Sequence, residues 1–180
     1  VCVCVPDAAP GQYKIEVPTM LVPPGEEILF CYFGTYEGED AGVVGYQPEN
    51  PQGFLHHSLM KRVSDDEYPD GHLMDCTAPE FQTPPKPVLF ESVGAGEEGG
   101  WINLPEGLAF KLASQQRWVA DVHYINTSPD PVCVNTAYYL ELVPADEVEA
   151  FAAAFNLDVG KISLPSGEVS TERFDCVWEQ

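Results

Sequence analysis

Two adjacent histidines, His56 and His57, lie inside the apolar stretch FLHHSLM of a chain that contains only four histidines. Neutral imidazole is the commonest side-chain ligand of copper and zinc, and three histidines around an open position form an ordinary transition-metal site. Successive residues of a strand point to opposite faces, so both side chains reach one ion only if the strand bends, bulges or ends there. The alternative is one buried, hydrogen-bonded histidine and one that faces solvent.

A third histidine, His123, lies in RWVADVHYINT, the strongest strand pattern of the chain. Period-two alternation places Asp121 and His123 on the same face of this strand. A carboxylate next to a ligating imidazole commonly fixes its tautomer, so Asp121 is the expected partner of His123. Taken alone, however, a single strand histidine is more often a satisfied core residue than a ligand.

His72, Met74 and Met60 are additional candidate ligands, the first two within the segment DGHLMDC. A thioether is a soft ligand that suits Cu(I), so either methionine, or His72, could complete the site or compete for it. Methionine is more commonly a filler of hydrophobic cores, and a loop histidine needs no metal. Packing is therefore the preferred interpretation of these three side chains.

The elements that must position these histidines are predicted to be strands. The 180 residues include 17 prolines and 15 glycines, and short apolar or aromatic runs such as EILFCYF and TAYYLELV recur between them. This spacing is typical of an antiparallel all-β protein. One short helix is predicted at 144–156, PADEVEAFAAAFN, because acidic residues lie near its N-terminal end and apolar residues follow helical spacing.

The charge and the cysteines limit the classes of partner. With 29 acidic and 8 basic residues the formal net charge is −21, which repels polyphosphate and anionic lipid, so nucleic acid and anionic membranes are poor candidates for partners and no nucleic-acid partner is expected. No apolar run is long enough for a membrane span. Six cysteines without a C-x-x-C pair favour disulfides, and hence a secreted or periplasmic protein, but the residues alone do not choose the pairing.

An internal match indicates how the chain is organised. EVPTMLVPPGE at 16–26 aligns with DVGKISLPSGE at 158–168, with a constant offset of 142 residues. The tail therefore resembles the opening of a second copy of the domain, although a chance match between two strand-turn-strand segments is the alternative. We predict a copper-binding β domain at 1–143, followed at 144–180 by a linker helix and the opening strands of a second, absent domain.

FLHHSLM, followed about 65 residues later by VHY, resembles the first domain of the copper type II, ascorbate-dependent monooxygenases, the family of peptidylglycine α-hydroxylating and dopamine β-monooxygenase. The resemblance implies that His56, His57 and His123 hold a copper that relays electrons. It also implies a disulfide between Cys31 and Cys76, and another that joins Cys2 or Cys4 to Cys133, of which Cys4 is the predicted partner. With this resemblance, we expect an antiparallel β-sandwich of jelly-roll type.

The chain departs from the family in two places. It has no H-x-H pair for an oxygen-activating copper, and Lys61-Arg62-Val63 stands where the family has a cysteine after the paired histidines. We expect a copper redox domain that relays electrons for oxygen-dependent hydroxylation, with ascorbate or a redox protein as reductant and a second copper domain as partner. Catalysis by the isolated chain is left open. The alternatives are a stand-alone copper carrier or electron-transfer module, and a disulfide-stapled adhesion module without metal.

Overall fold

The computed structural model describes residues 2, 4–63, 68–78, 88–93, 101–153 and 167, and of residues 90–93 the backbone alone. Over these ranges the chain is all-β, as predicted, because short β-branched and aromatic runs alternate with proline and glycine turns. Its strands are β1 (Gln12–Glu16), β2 (Met20–Val22), β3 (Glu27–Thr35), β4 (Ala41–Glu49), β5 (Leu55–Arg62), β6 (Leu73–Asp75), β7 (Val88–Val93), β8 (Ile102–Asn103), β9 (Leu108–Leu112), β10 (Arg117–Ile125), β11 (Val132–Val134), β12 (Ala137–Pro144) and β13 (Ala150–Ala152).

The strands form two main sheets and one short ladder. The first sheet has the order β1-β12-β4-β9-β13, with β8 also paired to β4, and the second has the order β6-β3-β10-β5-β7. Strand β11 pairs with β2. The ladders are antiparallel except that between β13 and β9. Neighbouring strands are seldom consecutive in sequence, so most of the pairing is long-range.

Buried side chains of both main sheets join in one hydrophobic cluster. The cluster includes Ile15, Val43, Tyr46, Tyr138 and Leu140 from the first sheet and Phe30, Met60, Trp118, Val122 and Tyr124 from the second. A smaller cluster of Cys31, Phe33, Val63, Cys76 and Val119 covers part of the opposite face of the second sheet. Strand β10 is consequently buried on both faces from Trp118 to Val122, and this cover becomes incomplete at His123.

The prediction of a helix at 144–156 is wrong for residues 144–153, which the structure describes. Residues Ala145–Glu147 form a 3₁₀ turn, and β13 then pairs in parallel with β9. The backbone N–H groups of Glu149 and Ala150 donate to the carbonyl of Gly107, at 3.0 and 3.1 Å. The backbone hydrogen bonds to the edge of β9 thus outweigh the helical propensity of this segment. Residues 154–156 lie outside the described ranges.

Most of the predicted second-domain opening also lies outside the described residues. Its one described residue, Gly167, has φ +78°, and Gly25, which the internal match aligns with it, has φ +70°. Both glycines therefore adopt a left-handed conformation that a side chain would disfavour. Residues Ala150–Ala152 extend the first sheet. The boundary between 143 and 144 stays a prediction.

Two disulfides cross-link the part of the chain that the structure describes. The predicted bond between Cys31 and Cys76 is present. The second bond joins Cys133 to Cys2, whereas Cys4 is exposed with a free thiol, so the prediction that Cys4 pairs with Cys133 is wrong. Val5 packs on Ala137 and Tyr139, and this anchor leaves Cys4 facing solvent while Cys2 reaches Cys133. Cys176 lies outside the described residues.

Candidate metal centre

A β-bulge brings the adjacent histidines to the same side of the second sheet. In the ladder between β10 and β5, His123 lies opposite His57 and Tyr124 lies opposite Leu55, so His56 is an extra residue without a cross-strand partner. A bulge of this kind bends the strand and redirects the extra side chain. Adjacent histidines can bind one ion only if the strand is irregular, and the bulge at His56 is such an irregularity.

Loop contacts hold the strand just before the bulge. The side-chain Oδ1 of Asn50 accepts a hydrogen bond from the Phe54 N–H at 3.0 Å. The Phe54 carbonyl in turn accepts one from the N–H of Ile125, also at 3.0 Å. The residue that precedes β5 is thus tied to the Asn50 loop and to β10, which fixes the backbone on the N-terminal side of the bulge.

The three imidazoles converge on a common point. The Nδ1 atom of His56 lies 3.0 Å from Nδ1 of His57 and 3.3 Å from Nδ1 of His123. The ring centroids are 4.9 to 5.1 Å apart, and the rings meet edge to face. One nitrogen from each ring lies within 4.8 Å of the other two. His56 is exposed and the other two are half-buried, so the site opens to solvent on one side.

This arrangement fits a transition-metal ion. Imidazole nitrogens lie about 2.0 to 2.1 Å from such an ion, and two of them at angles of about 90 to 120° are about 3 to 3.6 Å apart. The two Nδ1 separations, 3.0 and 3.3 Å, match that spacing. A neutral imidazole nitrogen carries either one proton or one lone pair, so ordinary hydrogen bonds poorly satisfy three converging Nδ1 atoms. A cation that accepts the lone pairs of all three Nδ1 atoms satisfies them at the same time.

The carboxylate that contacts His123 is Glu27 and not Asp121. Glu27 Oε2 lies 3.1 Å from His123 Nε2. A carboxylate accepts hydrogen bonds, so this contact favours a proton on Nε2 and leaves the Nδ1 lone pair for an ion. The prediction that Asp121 would orient His123 is therefore wrong.

Asp121 is engaged elsewhere on the same face. Its Oδ2 accepts a hydrogen bond from the ammonium of Lys61 at 2.6 Å, and its carboxylate lies next to the Cys31–Cys76 disulfide. Residues two apart in one strand are about 6.6 Å apart along the chain, so their side chains run side by side. A residue diagonally across a ladder, such as Glu27 relative to His123, can lean into contact.

A turn next to the end of β10 places Glu27. The buried side-chain amide of Asn126 donates to the carbonyls of Val22 and Pro23, at 3.0 and 2.9 Å, and the Asn126 N–H donates to Glu26 at 2.9 Å. Gly25 completes the proline-glycine turn with φ +70°. The start of β3 is thereby held against the end of β10. The turn is visible in the sequence as VPPGEE, but the register that brings Glu27 to His123 is not.

The other candidate ligands have separate positions. Met60 is fully buried in the main core, on the face of β5 opposite to His57, so the preferred interpretation of Met60 as a packing residue is confirmed and the alternative that it is a ligand is wrong. The ring of His72 stacks on Tyr68 with 5.0 Å between centroids, and it is not part of the histidine cluster. Met74 packs beside the Cys31–Cys76 disulfide and lines a groove that also contains His123.

Comparison with known proteins adds no assignment, since no family model and no curated protein matches this sequence. Within the described residues, no helix has the length and apolar character needed to cross a membrane.

Proposed function

We propose that this chain is the copper-binding redox domain of a monooxygenase-like protein, an antiparallel sandwich of jelly-roll type with copper held by His56, His57 and His123. The observation that carries the proposal is the convergence of three Nδ1 atoms at a β-bulge. The order of the FLHHSLM and VHY motifs supports copper over zinc through the family resemblance. Two disulfides support a secreted or periplasmic location.

The role of each side chain follows from its position. When bound, copper supplies a one-electron couple between Cu(I) and Cu(II). His57 and His123 lie on paired strands that keep their separation constant, while His56 approaches from the bulge. Glu27 holds the His123 ring in one tautomer. The proposed partners are ascorbate or a redox protein as reductant, and a second copper domain where oxygen reacts with substrate.

A second candidate function is a stand-alone copper carrier or electron-transfer module. Within the described ranges, the remaining cluster of metal-ligating types is Cys31, Cys76 and Asp121, and its two cysteines are joined in a disulfide. The described part of the chain therefore offers one metal site, which would suffice for transport. The two functions differ in whether copper stays bound in both oxidation states.

Copper titration with redox cycling tests the proposal. We expect one copper per chain, with a Cu(II) EPR signal that disappears with reductant, returns with oxygen, and persists through several cycles in the presence of a Cu(I) chelator. Loss of copper to the chelator at the first reduction favours the carrier. Hydroxylated product from the isolated chain with ascorbate, oxygen and candidate substrates contradicts the carrier. Absence of stoichiometric copper uptake overturns both functions.

Glu27 is expected to tune the affinity of the site. Glu27→Ala should lower Cu(II) affinity about tenfold, because outer partners of ligating histidines typically contribute that much, and Glu27→Gln should lower it less since an amide oxygen still accepts. Competition with a chromogenic chelator measures the affinity, and EPR hyperfine structure reports the geometry. Glu26→Ala is the matched control, an exposed neighbour that removes the same charge. Equal losses in both alanine variants would mean a general charge effect.

A further inference from the structure

A groove of about 640 Å³ lies along the edge of β3, between His123 and strand β6, which pairs with β3 only at Phe30–Tyr32. Its apolar lining includes Leu29, Leu73 and Met74, and its polar lining includes Glu27 and Asp75. Leu73 is 42% exposed, so its side chain is available for contact with a partner. The groove therefore combines an apolar floor with carboxylates at its rim, and it ends at a proposed copper ligand.

The charge of this groove is negative. None of the described residues that line it is a lysine or an arginine. Thr77 donates from its hydroxyl and its backbone N–H to Asp75 Oδ1, at 2.7 and 2.8 Å, and these bonds lower the pKa of Asp75. Like an ordinary exposed aspartate, Asp75 is ionised at neutral pH. An anionic reductant such as ascorbate meets repulsion here, in addition to the net charge of −21.

Lysine and arginine side chains complement such a surface. Each has an apolar stem, which can cover Leu73 and Met74, and a cationic head, which can meet Asp75 and Glu27. An exposed aromatic residue elsewhere on the surface, Phe151, already has the ammonium of Lys111 6.0 Å from its ring centre, so that patch has its own cation. The groove beside His123 has the opposite character, because its charges are carboxylates.

We propose that this groove docks a redox protein that presents a lysine or arginine and donates electrons through the edge of His123. The electron-transfer step rests on the proposed function, because it needs bound copper. The docking itself does not. In that step the donor loses one electron and Cu(II) at the histidines becomes Cu(I). The groove thus selects a basic protein donor over ascorbate.

Docking is tested first on the metal-free chain by NMR, with reduced cytochrome c as a basic, diamagnetic probe. We expect shifts of the Leu73 and Met74 methyl groups, and about a twofold to threefold weaker affinity in Asp75→Asn, the change expected when one charge is removed from a surface contact. Asparagine keeps the oxygen that accepts from Thr77, so the fold of the turn is conserved. The matched control, Asp146→Asn, removes an exposed carboxylate of the 3₁₀ turn beside the first sheet and should leave the affinity unchanged.

Electron transfer is tested on the copper-loaded chain by stopped flow. Asp75→Asn should slow reduction by cytochrome c about twofold to threefold and leave reduction by ascorbate equal or faster, and salt should reduce the difference. Equal effects of Asp75→Asn and Asp146→Asn, or shifts spread over the whole surface, overturn the docking site. If Asp75→Asn slows reduction by a small cation such as hexaammineruthenium(II) but not by cytochrome c, the proposal of a protein donor is overturned. If cytochrome c docks specifically but the chain takes up no copper, the docking site stands, whereas the proposed function and the electron-transfer step are overturned.

Discussion

His123→Ala and His57→Ala are each expected to lower Cu(II) affinity at least a hundredfold. Each variant removes one of three converging imidazoles, and two nitrogens cannot complete the site. The loss should exceed the ~10–100-fold effect of removing an outer partner. His72→Ala is the matched control, because His72 stacks on Tyr68 outside the cluster. Metal analysis after dialysis against a chelator measures occupancy, and EPR measures the Cu(II) hyperfine structure.

The alanine variants also test the geometry of the site. His57 and His123 face each other across the β5–β10 ladder, so removal of either should change the Cu(II) spectrum in a similar way. Both side chains are on the partly open face of the sheet, and their replacement should change the unfolding midpoint of the metal-free chain only slightly. Unchanged spectra in both variants would remove the basis for copper at this site. A large loss of stability in the metal-free state would indicate a structural role for the histidines.

The sequence carries enough information to predict the strands, because they depend on local patterns, whereas the grouping of the three histidines rests on the family resemblance. Alternation in RWVADVHYINT predicts β10, and proline-glycine breaks predict the turns around it. The His56-His57 pair also carries a geometric requirement, since shared ligation needs an irregular strand. The bulge at His56 meets that requirement. The strand predictions succeed because no knowledge of distant pairing is needed, whereas the meeting of His57 with His123 requires the β5–β10 ladder.

The wrong predictions depend on contacts between distant segments. The pairing of Ile125 with Glu27 decides which carboxylate reaches His123, and no local pattern encodes this register. The same reasoning applies to Ala150–Ala152, where pairing with β9 replaces a helix that local propensity favours. Cys2 is chosen over Cys4 by the packing of Val5 on the first sheet. Each of these outcomes requires the assembled sheets, which a single sequence does not supply.

Asp121→Ala is expected to destabilise the metal-free chain by about 3 kcal/mol and to leave copper affinity nearly unchanged. Asp121 is 6% exposed, and its carboxylate holds the ammonium of Lys61 at 2.6 Å. Removal of one member of a buried ion pair leaves a poorly solvated charge in the protein, which typically costs about 3 to 5 kcal/mol. Urea unfolding measures the free energy, and chelator competition measures the affinity.

Two controls separate the ion pair from the metal site. Glu16→Ala removes the carboxylate of the more exposed pair with Lys14, and it should cost less than about 1 kcal/mol. The double variant Asp121→Leu with Lys61→Met should recover most of the stability, because an apolar pair can replace a buried ion pair at little cost. If Asp121→Ala instead weakens copper binding and leaves unfolding unchanged, Asp121 acts on the histidines. A loss of stability alone assigns Asp121 to the packing beneath the site and leaves Glu27 as the carboxylate that orients His123.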